Sequence, residues 1–196
     1  TPGFGLVVED FDGDRNQDLF IAQNFFATNP EYSRCDAGRG LLMLGNGLGE
    51  FKAIAASQSG VVAYGEQRAC AVSDFNRDGR MDLAIGQNNA QTKLLLNSTG
   101  SAGIRLRLKG TMQNPTAVGA KVTLQITENH TLTKEVQSGS GYWAVNSAVL
   151  ILPRLPRAHG LAVAWPSGSV VNYKIPEDIR ELLLQENGEA TFLKAQ

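Results

Sequence analysis

The chain has few of the residues on which soft-metal and nucleophilic chemistry depends. Its 196 residues include two cysteines and two histidines. Cys35 and Cys70 could form one disulfide in an oxidising compartment, but two cysteines do not define a disulfide framework. His130 and His159 stand apart from each other, beside turn-like residues, so a Ser-His-Asp triad has little support. We therefore expect no catalytic site and no bound organic cofactor in this chain.

Other absences exclude further classes of protein. No apolar run approaches the roughly 18 residues of a membrane-spanning helix, so no membrane span is predicted. Basic clusters interleaved with aromatic residues are also missing, which argues against a nucleic-acid partner. The apolar fraction of 42% is sufficient for packed cores over the whole length. The composition thus predicts a protein with two small packed domains.

Two acidic runs, at 10–18 and 74–82, are the most informative feature that is present. In each run, side-chain oxygens recur at positions 1, 3, 5 and 9, and a backbone carbonyl at position 7 can complete the set. A turn of this kind can wrap a hard cation such as Ca²⁺, which takes six to eight oxygen ligands. The first set of ligands is Asp10, Asp12, Asp14, Asn16 through its carbonyl, and Asp18; the second is Asp74, Asn76, Asp78, Arg80 through its carbonyl, and Asp82. The spacing predicts two calcium sites.

Three other interpretations of these runs can be weighed. Zinc fits poorly because neither run contains a histidine or a cysteine. An EF-hand would place a bidentate Glu at position 12, where Ile21 and Ile85 stand instead. Asp, Asn and Gly are also ordinary turn formers, and this simplest reading stays open for a single run. Two runs with oxygen ligands at the same positions and with the same flanking residues make the interpretation as ordinary turns less favourable.

The runs belong to an internal repeat at an offset of 64 residues. Phe11 matches Phe75, and the pair Gln-Asn at 23–24 matches the pair at 87–88. Apolar runs around each loop predict small antiparallel sheets, each too small to bury its own apolar face, which is typical of a stacked array. Predicted strands of the repeats are 5–9, 19–22, 41–44, a strand entered at 51, 69–73, 83–86 and 93–96. A polar insertion at 24–40 is expected to be a surface loop.

The motif Val-Glu-Asp-Phe-Asp-Gly-Asp, followed later by Gly-Asn-Gly-Leu-Gly-Glu-Phe, resembles the FG-GAP or VCBS-type repeat of calcium-loaded β-propellers. The resemblance implies that residues 1–102 form two propeller blades with structural calcium in their loops. Because closure of a propeller takes about four to eight blades, further blades are expected upstream in a longer protein. The opening Thr-Pro-Gly without an initiator Met agrees with that expectation.

Residues 103–196 differ in character, since Asp178 is their only aspartate. Short alternating runs separated by turns predict a β-sandwich-like domain. The predicted strands are 104–109, 121–127, 131–137, 148–152, 160–165, 170–175, 181–185 and 190–193. The alternation of Arg105, Arg107 and Lys109 with apolar residues predicts a solvated cationic face.

Three motifs in this half, Ala-Val-Gly-Ala-Lys-Val, Ser-Gly-Ser-Gly-Tyr and Ala-Trp-Pro-Ser-Gly, resemble the ASPIC/UnbV domain of bacterial proteins and cartilage acidic protein. The resemblance implies an architecture and no catalytic residues. Tyr142, Trp143 and Trp165 could form a platform on which a sugar stacks, but aromatic residues of this kind more often lie in a core.

Together these features predict an all-β chain, a partial β-propeller followed by a β-sandwich-like domain. We expect a non-enzymatic module with structural calcium that serves adhesion or recognition of a protein or glycan. Calcium at millimolar concentration points to an extracellular, cell-surface or periplasmic location. The alternative is a C-terminal accessory part of a polysaccharide-processing enzyme whose catalytic residues lie outside residues 1–196.

Overall fold

The computed structural model describes residues 2–31, 33, 36–127, 130–139, 141–155 and 159–194, with the side chain of His159 left aside. Within these residues the chain is all-β and consists of four small sheets joined by turns. One short helix, α1 (Ala56–Ser59), interrupts the strand pattern and was not predicted from the sequence. The fifteen strands follow the predicted runs closely, which confirms the all-β fold class.

The first repeat forms a four-stranded antiparallel sheet in the order β1-β2-β3-β4. Its strands are β1 (Gly3–Glu9), β2 (Asp18–Gln23), β3 (Leu41–Gly45) and β4 (Phe51–Ile54). Buried and less buried residues alternate along β2, as expected for a strand that packs one face inward. The acidic run 10–18 therefore connects two paired strands, since Glu9 lies opposite Asp18 in the β1–β2 register.

The second repeat forms a three-stranded antiparallel sheet in the order β5-β6-β7. Its strands are β5 (Glu66–Ser73), β6 (Asp82–Asn88) and β7 (Lys93–Leu95). Ser73 lies opposite Asp82, so the second acidic run also connects the first two strands of its sheet. The two repeats thus place their acidic runs at equivalent positions.

Two further four-stranded sheets follow, in the orders β10-β9-β12-β13 and β11-β8-β14-β15. These two sheets contain six strand pairs. The strand β14 runs parallel to β8, and the other five pairs are antiparallel. The strands are β8 (Ile104–Lys109), β9 (Lys121–Thr127), β10 (His130–Glu135), β11 (Leu150–Leu152), β12 (His159–Ala164), β13 (Val170–Ile175), β14 (Ile179–Gln185) and β15 (Ala190–Lys194).

One hydrophobic cluster contains buried residues from both of these sheets. Leu106 of β8 and Leu182 of β14 belong to it together with Leu124 of β9 and Leu161 of β12. Trp165 is also buried in this cluster at 3% exposure, which confirms its expected place in a core. Burial of large aliphatic and aromatic side chains is the main favourable term in the stability of such a cluster.

The predicted solvated cationic face of β8 is wrong at one position. Arg105 is buried, and its Nε donates to Glu181 Oε2 at 3.1 Å on the neighbouring strand β14. Arg107 and Lys109 are exposed, as predicted. The burial of Arg105 could not be predicted from the alternation alone. Its partner Glu181 is on the parallel strand β14, which lies far along the chain.

The contacts of the chain divide it into two compact units. The first comprises 1–101 and 139–146, and the second comprises 102–138 and 147–196. The short segment 139–146 therefore belongs with the repeats, although the residues on either side of it belong to the second unit. Within the first unit, Asn146 Oδ1 accepts a hydrogen bond from the amide of Val72 at 3.1 Å, which ties the segment to β5.

Candidate metal centre

The first acidic loop is shaped by the carboxylate of Asp10. Its Oδ1 accepts hydrogen bonds from the amides of Gly13 (2.7 Å) and Asp14 (3.1 Å), and its Oδ2 accepts one from Arg15 (2.8 Å). Short-range bonds of this type are the reason that Asp favours turns over regular strands. They fold the chain tightly after β1 and turn the loop back toward the position of Asp18.

Asp18 fixes the other end of the loop. It is fully buried, its Oδ2 accepts the amide of Phe11 at 2.8 Å, and its Oδ1 accepts the amide of Gly45 at 3.0 Å. Gly45 allows this approach, because a Cβ at that position would lie 2.1 Å from the backbone oxygen of Gln17. One carboxylate therefore connects the start of the loop with the end of β3.

Three of the predicted ligands converge in this loop. Carboxylate oxygens of Asp10, Asp12 and Asp18 lie within 4.8 Å of one another, and they form the one such acidic group found in the described part of the chain. Burial, and to a smaller extent the neighbouring carboxylates, raise the pKa of all three, to about 6 for Asp18. The charged form of each is thus disfavoured in the protein alone, and a cation would favour it.

The remaining predicted ligands of the first loop lie at its exposed side. Asp14 is exposed, and its two oxygens accept from the amide and the side-chain nitrogen of Asn16 at 2.7 and 2.8 Å. A carboxylate oxygen has more than one lone pair, so these bonds leave capacity for a further partner. The carboxylate of Asp14 is not part of the converging group of Asp10, Asp12 and Asp18.

The second loop repeats the hydrogen-bond pattern of the first. Asp82 Oδ2 accepts the amide of Phe75 at 2.8 Å, and Asp74 accepts the amides of Asp78 and Gly79, each at 3.0 Å. Asn76 Oδ1 also accepts the amide of Asp78 at 3.1 Å. The predicted equivalence of the two runs thus extends from their sequence to their hydrogen bonds.

The two loops differ in their charges. In the second loop, Arg80 Nη1 lies 3.1 Å from Asp78 Oδ2, and Arg80 Nε donates to the carbonyl of Gly100 at 3.1 Å. Asn76 also contributes a neutral amide where the first loop has Asp12, and its Nδ2 donates to Asp78 at 3.0 Å. The second loop therefore already contains one internal cation beside its carboxylates.

Both loops use the left-handed backbone region at the same two positions. The φ angles are +78° at Gly13 and +81° at Arg15 in the first loop, and +62° at Arg77 and +86° at Gly79 in the second. Each loop thus has glycine at one of the positions and arginine at the other. Glycine is at the fourth position of the first run and at the sixth position of the second, yet both loops have positive φ angles at these two positions. Each loop therefore contains one arginine in a strained conformation.

Asn97 is a residue of the loops that sequence reasoning missed. Its amide donates to Asp82 Oδ1 at 2.8 Å, and its Nδ2 donates to the carbonyl of Phe11 at 2.7 Å. Asn97 therefore connects Asp82 of the second loop with Phe11 of the first loop through two hydrogen bonds. The available signal for this role was its place directly after the predicted strand 93–96.

Asn24 is a second missed residue, with a left-handed φ of +82°. It is buried, and its Nδ2 donates to the carbonyls of Gly38 (2.7 Å) and Gly65 (3.1 Å) while its Oδ1 accepts the amide of Gly38 (2.8 Å). The repeated Gln-Asn pair was the available signal. Asn24 thus fixes the end of the polar insertion against the first unit.

Among the described residues, the thiol of Cys70 and the imidazole of His130 do not join this acidic group. Cys70 is a free, buried thiol, and burial raises its pKa to about 12, so it is poorly suited to be a ligand or nucleophile. Cys35 and the side chain of His159 lie outside the described residues. His130 is exposed.

Comparison with known families agrees with this arrangement. Residues 10–85 match the family model of the FG-GAP-like repeat, and residues 110–191 match the model named ASPIC and UnbV. The chain is thus an FG-GAP-like repeat segment followed by an ASPIC and UnbV domain, as the sequence motifs predicted. The comparison with curated proteins gives no match for this chain.

This pairing of domains indicates a recognition or adhesion-like module, and FG-GAP repeats are typically found in extracellular or surface proteins. In the described part of the chain, no helix has both the length and the apolar character needed to cross a membrane.

Proposed function

We propose that the chain is a non-enzymatic extracellular module in which calcium has a structural role and surface loops recognise a protein or glycan. The observation that carries the proposal is the convergence of the Asp10, Asp12 and Asp18 carboxylates within 4.8 Å of one another. Like charges so close repel one another unless a cation compensates them. The donor set consists of hard oxygens, which suits Ca²⁺ and does not suit a soft metal.

The residues of the first loop fit such an ion. Asp10, Asp12 and Asp18 would hold it from the buried side, and Asp14 with the carbonyl of Asn16 would complete the set from the exposed side. A bound calcium ion would supply positive charge that compensates these carboxylates. The loop residues themselves fix the turn between β1 and β2 through their hydrogen bonds, so the neighbouring surface is held in one shape.

We propose a weaker second site in the loop of Asp74, Asn76, Asp78, Arg80 and Asp82. Two features support a difference between the loops. The guanidinium of Arg80 lies 3.1 Å from Asp78, and Asn76 has no charge to offer. Both reduce the negative charge that attracts a divalent cation, and ligand charge is one of the factors that set calcium affinity.

The finer architecture is also part of the proposal. We propose that β1–β4 and β5–β7 are two blades of a propeller, and that the two sheets of β8–β15 pack as a sandwich. The repeated position of the acidic loops supports the first assignment. The hydrophobic cluster that takes residues from both later sheets supports the second. Upstream blades of a longer protein would complete the propeller.

Calcium titration by calorimetry tests the proposal. We expect one tighter site and a second weaker one in the wild-type protein. Asp14→Ala should weaken the tighter site, because it removes a carboxylate at the exposed side of the first loop and leaves the buried hydrogen bonds intact. The matched control is Asp178→Ala, which removes an exposed aspartate of the second unit. Absence of calcium binding, or equal binding by both variants and the wild type, would contradict the proposal.

The alternative is an accessory part of a polysaccharide-processing enzyme with its catalytic residues elsewhere. The two assignments differ in what the full-length protein does with a glycan. Binding without turnover by the full-length protein supports a recognition module. Turnover by the full-length protein, but not by residues 1–196, supports the alternative.

A further inference from the structure

An exposed hairpin turn of the first unit carries two aromatic side chains. An isolated antiparallel bridge joins Gly141 and Ala144, and Tyr142 and Trp143 lie between them. The rings of these two residues are nearly parallel, with an interplanar angle of 11° and centroids 5.7 Å apart. Trp143 is 89% exposed and Tyr142 is 44% exposed. We refer to residues 141–144 as the aromatic turn.

The backbone of the aromatic turn is strained at Trp143. Its φ of +54° lies in the left-handed region, which bulky side chains rarely adopt and which glycine adopts without cost. Burial does not compensate for this strain, since most of the Trp143 side chain faces solvent. A bulky aromatic residue in a strained and exposed position suggests a role outside the fold's own packing.

The base of the aromatic turn is fixed to the first unit. The ring of Tyr142 lies 6.0 Å from that of Phe4, which in turn lies 5.9 Å from Phe25. The guanidinium of Arg68 lies 4.1 Å from the centroid of Phe4 and 4.7 Å from that of Phe25. Arg68 also forms an ion pair with Glu66, so its charge is compensated within the unit. The aromatic turn is thus packed against side chains among which the charge of Arg68 is compensated by Glu66.

We propose that the aromatic turn is a binding platform for a neutral sugar ring of a glycan. The π face of an aromatic ring carries partial negative charge and attracts the C–H bonds on one face of a pyranose. Charged ligands gain little from Arg68, because its guanidinium is already paired with Glu66. Two rings are also small beside the roughly 800 Å² that each partner contributes to a stable protein interface. The inference rests on the proposed recognition function and names its ligand class and surface.

Tryptophan fluorescence gives a direct measure of binding at this place. The chain has two tryptophans, and Trp165 is buried at 3% exposure, so acrylamide should quench mainly Trp143. The probes are the hexasaccharides of β-1,4-linked glucose, β-1,4-linked N-acetylglucosamine, β-1,4-linked mannose and α-1,4-linked glucose, at millimolar concentration with calcium present. Binding of at least one probe should reduce acrylamide quenching of the wild-type protein.

Two variants and a control separate a binding role from a structural one. Trp143→Gly should abolish binding measured by calorimetry and leave the melting temperature unchanged or higher, because glycine relieves the positive φ. Tyr142→Ala should weaken binding by about tenfold or more. Tyr64→Ala, which removes another exposed aromatic side chain of the first unit, should bind as the wild type does.

The outcomes distinguish this inference from the function on which it rests. Failure of all four probes to bind a wild-type protein that binds calcium overturns the sugar platform and leaves the recognition module in place. Binding that survives in Trp143→Gly overturns the assignment to this turn. A protein partner whose binding is lost in Trp143→Gly, with no sugar bound, overturns the ligand class. Failure to bind calcium contradicts the proposed function itself.

Discussion

Asp18 accepts the amide of Phe11 at 2.8 Å, seven residues back along the chain. Asp82 makes the same bond to Phe75, at the same distance, in the second repeat. Each carboxylate uses its other oxygen for an amide at or near the end of a later strand. For Asp18 it is the amide of Gly45, the last residue of β3, and for Asp82 it is the amide of Asn97, two residues after β7. The ninth residue of each acidic run therefore has a structural role that does not depend on a metal.

Asp82→Asn should destabilise the protein whether or not calcium is present. The asparagine oxygen can satisfy only one of the two part-buried amides, and its NH₂ group would face the other. An unsatisfied buried donor costs about 1–3 kcal/mol in the free energy of unfolding, so we expect a loss near the lower end of this range. Chemical denaturation in calcium and in chelator measures the effect. A loss confined to the calcium condition would show that Asp82 acts through the ion alone.

Arg77→Gly should increase stability in saturating calcium, and Arg15→Gly should do the same. Both arginines have a left-handed φ, which costs an L-residue roughly 1–2 kcal/mol, whereas glycine loses roughly 0.5–1 kcal/mol of chain entropy. The net gain is about 1 kcal/mol or less by the same estimates, measured by urea denaturation. Lys174→Gly, in an exposed position of β13, is the control and should lower stability. A loss in the arginine variants would contradict strain at these positions.

Without calcium, stability should fall as the pH rises from about 4 to about 6. Burial raises the pKa of Asp18 from 3.8 to about 6 in the folded protein, so between these values the folded state binds more protons than the unfolded state. Stability then decreases with rising pH. Asp10 and Asp12 are shifted in the same direction.

Excess calcium should reduce or reverse this fall, because cation and proton compete for the same carboxylates. Denaturation at a series of pH values, in chelator and in calcium, measures both effects. Stability that rises with pH across this interval in chelator would show that these aspartates are not disfavoured as anions.

Arg80→Ala should strengthen calcium binding at the second loop. The substitution removes the guanidinium that lies beside Asp78 and keeps the backbone carbonyl at position 80. We expect an affinity gain of about two- to fivefold at the weaker site, because a partly exposed ion pair contributes up to about 1 kcal/mol. Calorimetric titration of wild type and variant measures it. An unchanged calcium affinity at the second loop would show that the guanidinium of Arg80 leaves Asp78 without a cost in free energy.

The strands could be predicted from the sequence because their alternation is local. Runs such as those of β2 and β9 combine apolar alternation with turn residues at both ends, and their register follows from short connections. The ion pair of Arg105 with Glu181 could not be predicted in this way. It depends on the parallel pairing of β8 with β14, whose residues are far apart in sequence.

The site was predictable to a similar degree. The ligand spacing identified both acidic loops, because the ligands of each loop lie within nine residues. The neutral Asn76 in the second loop, where the first has Asp12, was visible in the sequence. The ion pair of Arg80 with Asp78 was not predicted, since it depends on where the side chain of Arg80 points.

The aromatic turn was predicted only as the less favoured alternative. A core position was favoured for Tyr142 and Trp143 over a sugar platform, but a two-residue turn places them in solvent. Nothing local in the sequence indicates a positive φ at a tryptophan.

Thermal unfolding of the wild type and Asp14→Ala tests the central claim most directly. Each protein is measured with excess calcium, with magnesium, and with chelator. Calcium at about 100 times its dissociation constant should raise the wild-type melting temperature by about 5–10 °C, and magnesium should raise it less. Asp14→Ala should melt lower than the wild type in calcium and at nearly the same temperature in chelator. Equal melting of the wild type in all three conditions would contradict structural calcium in the acidic loops.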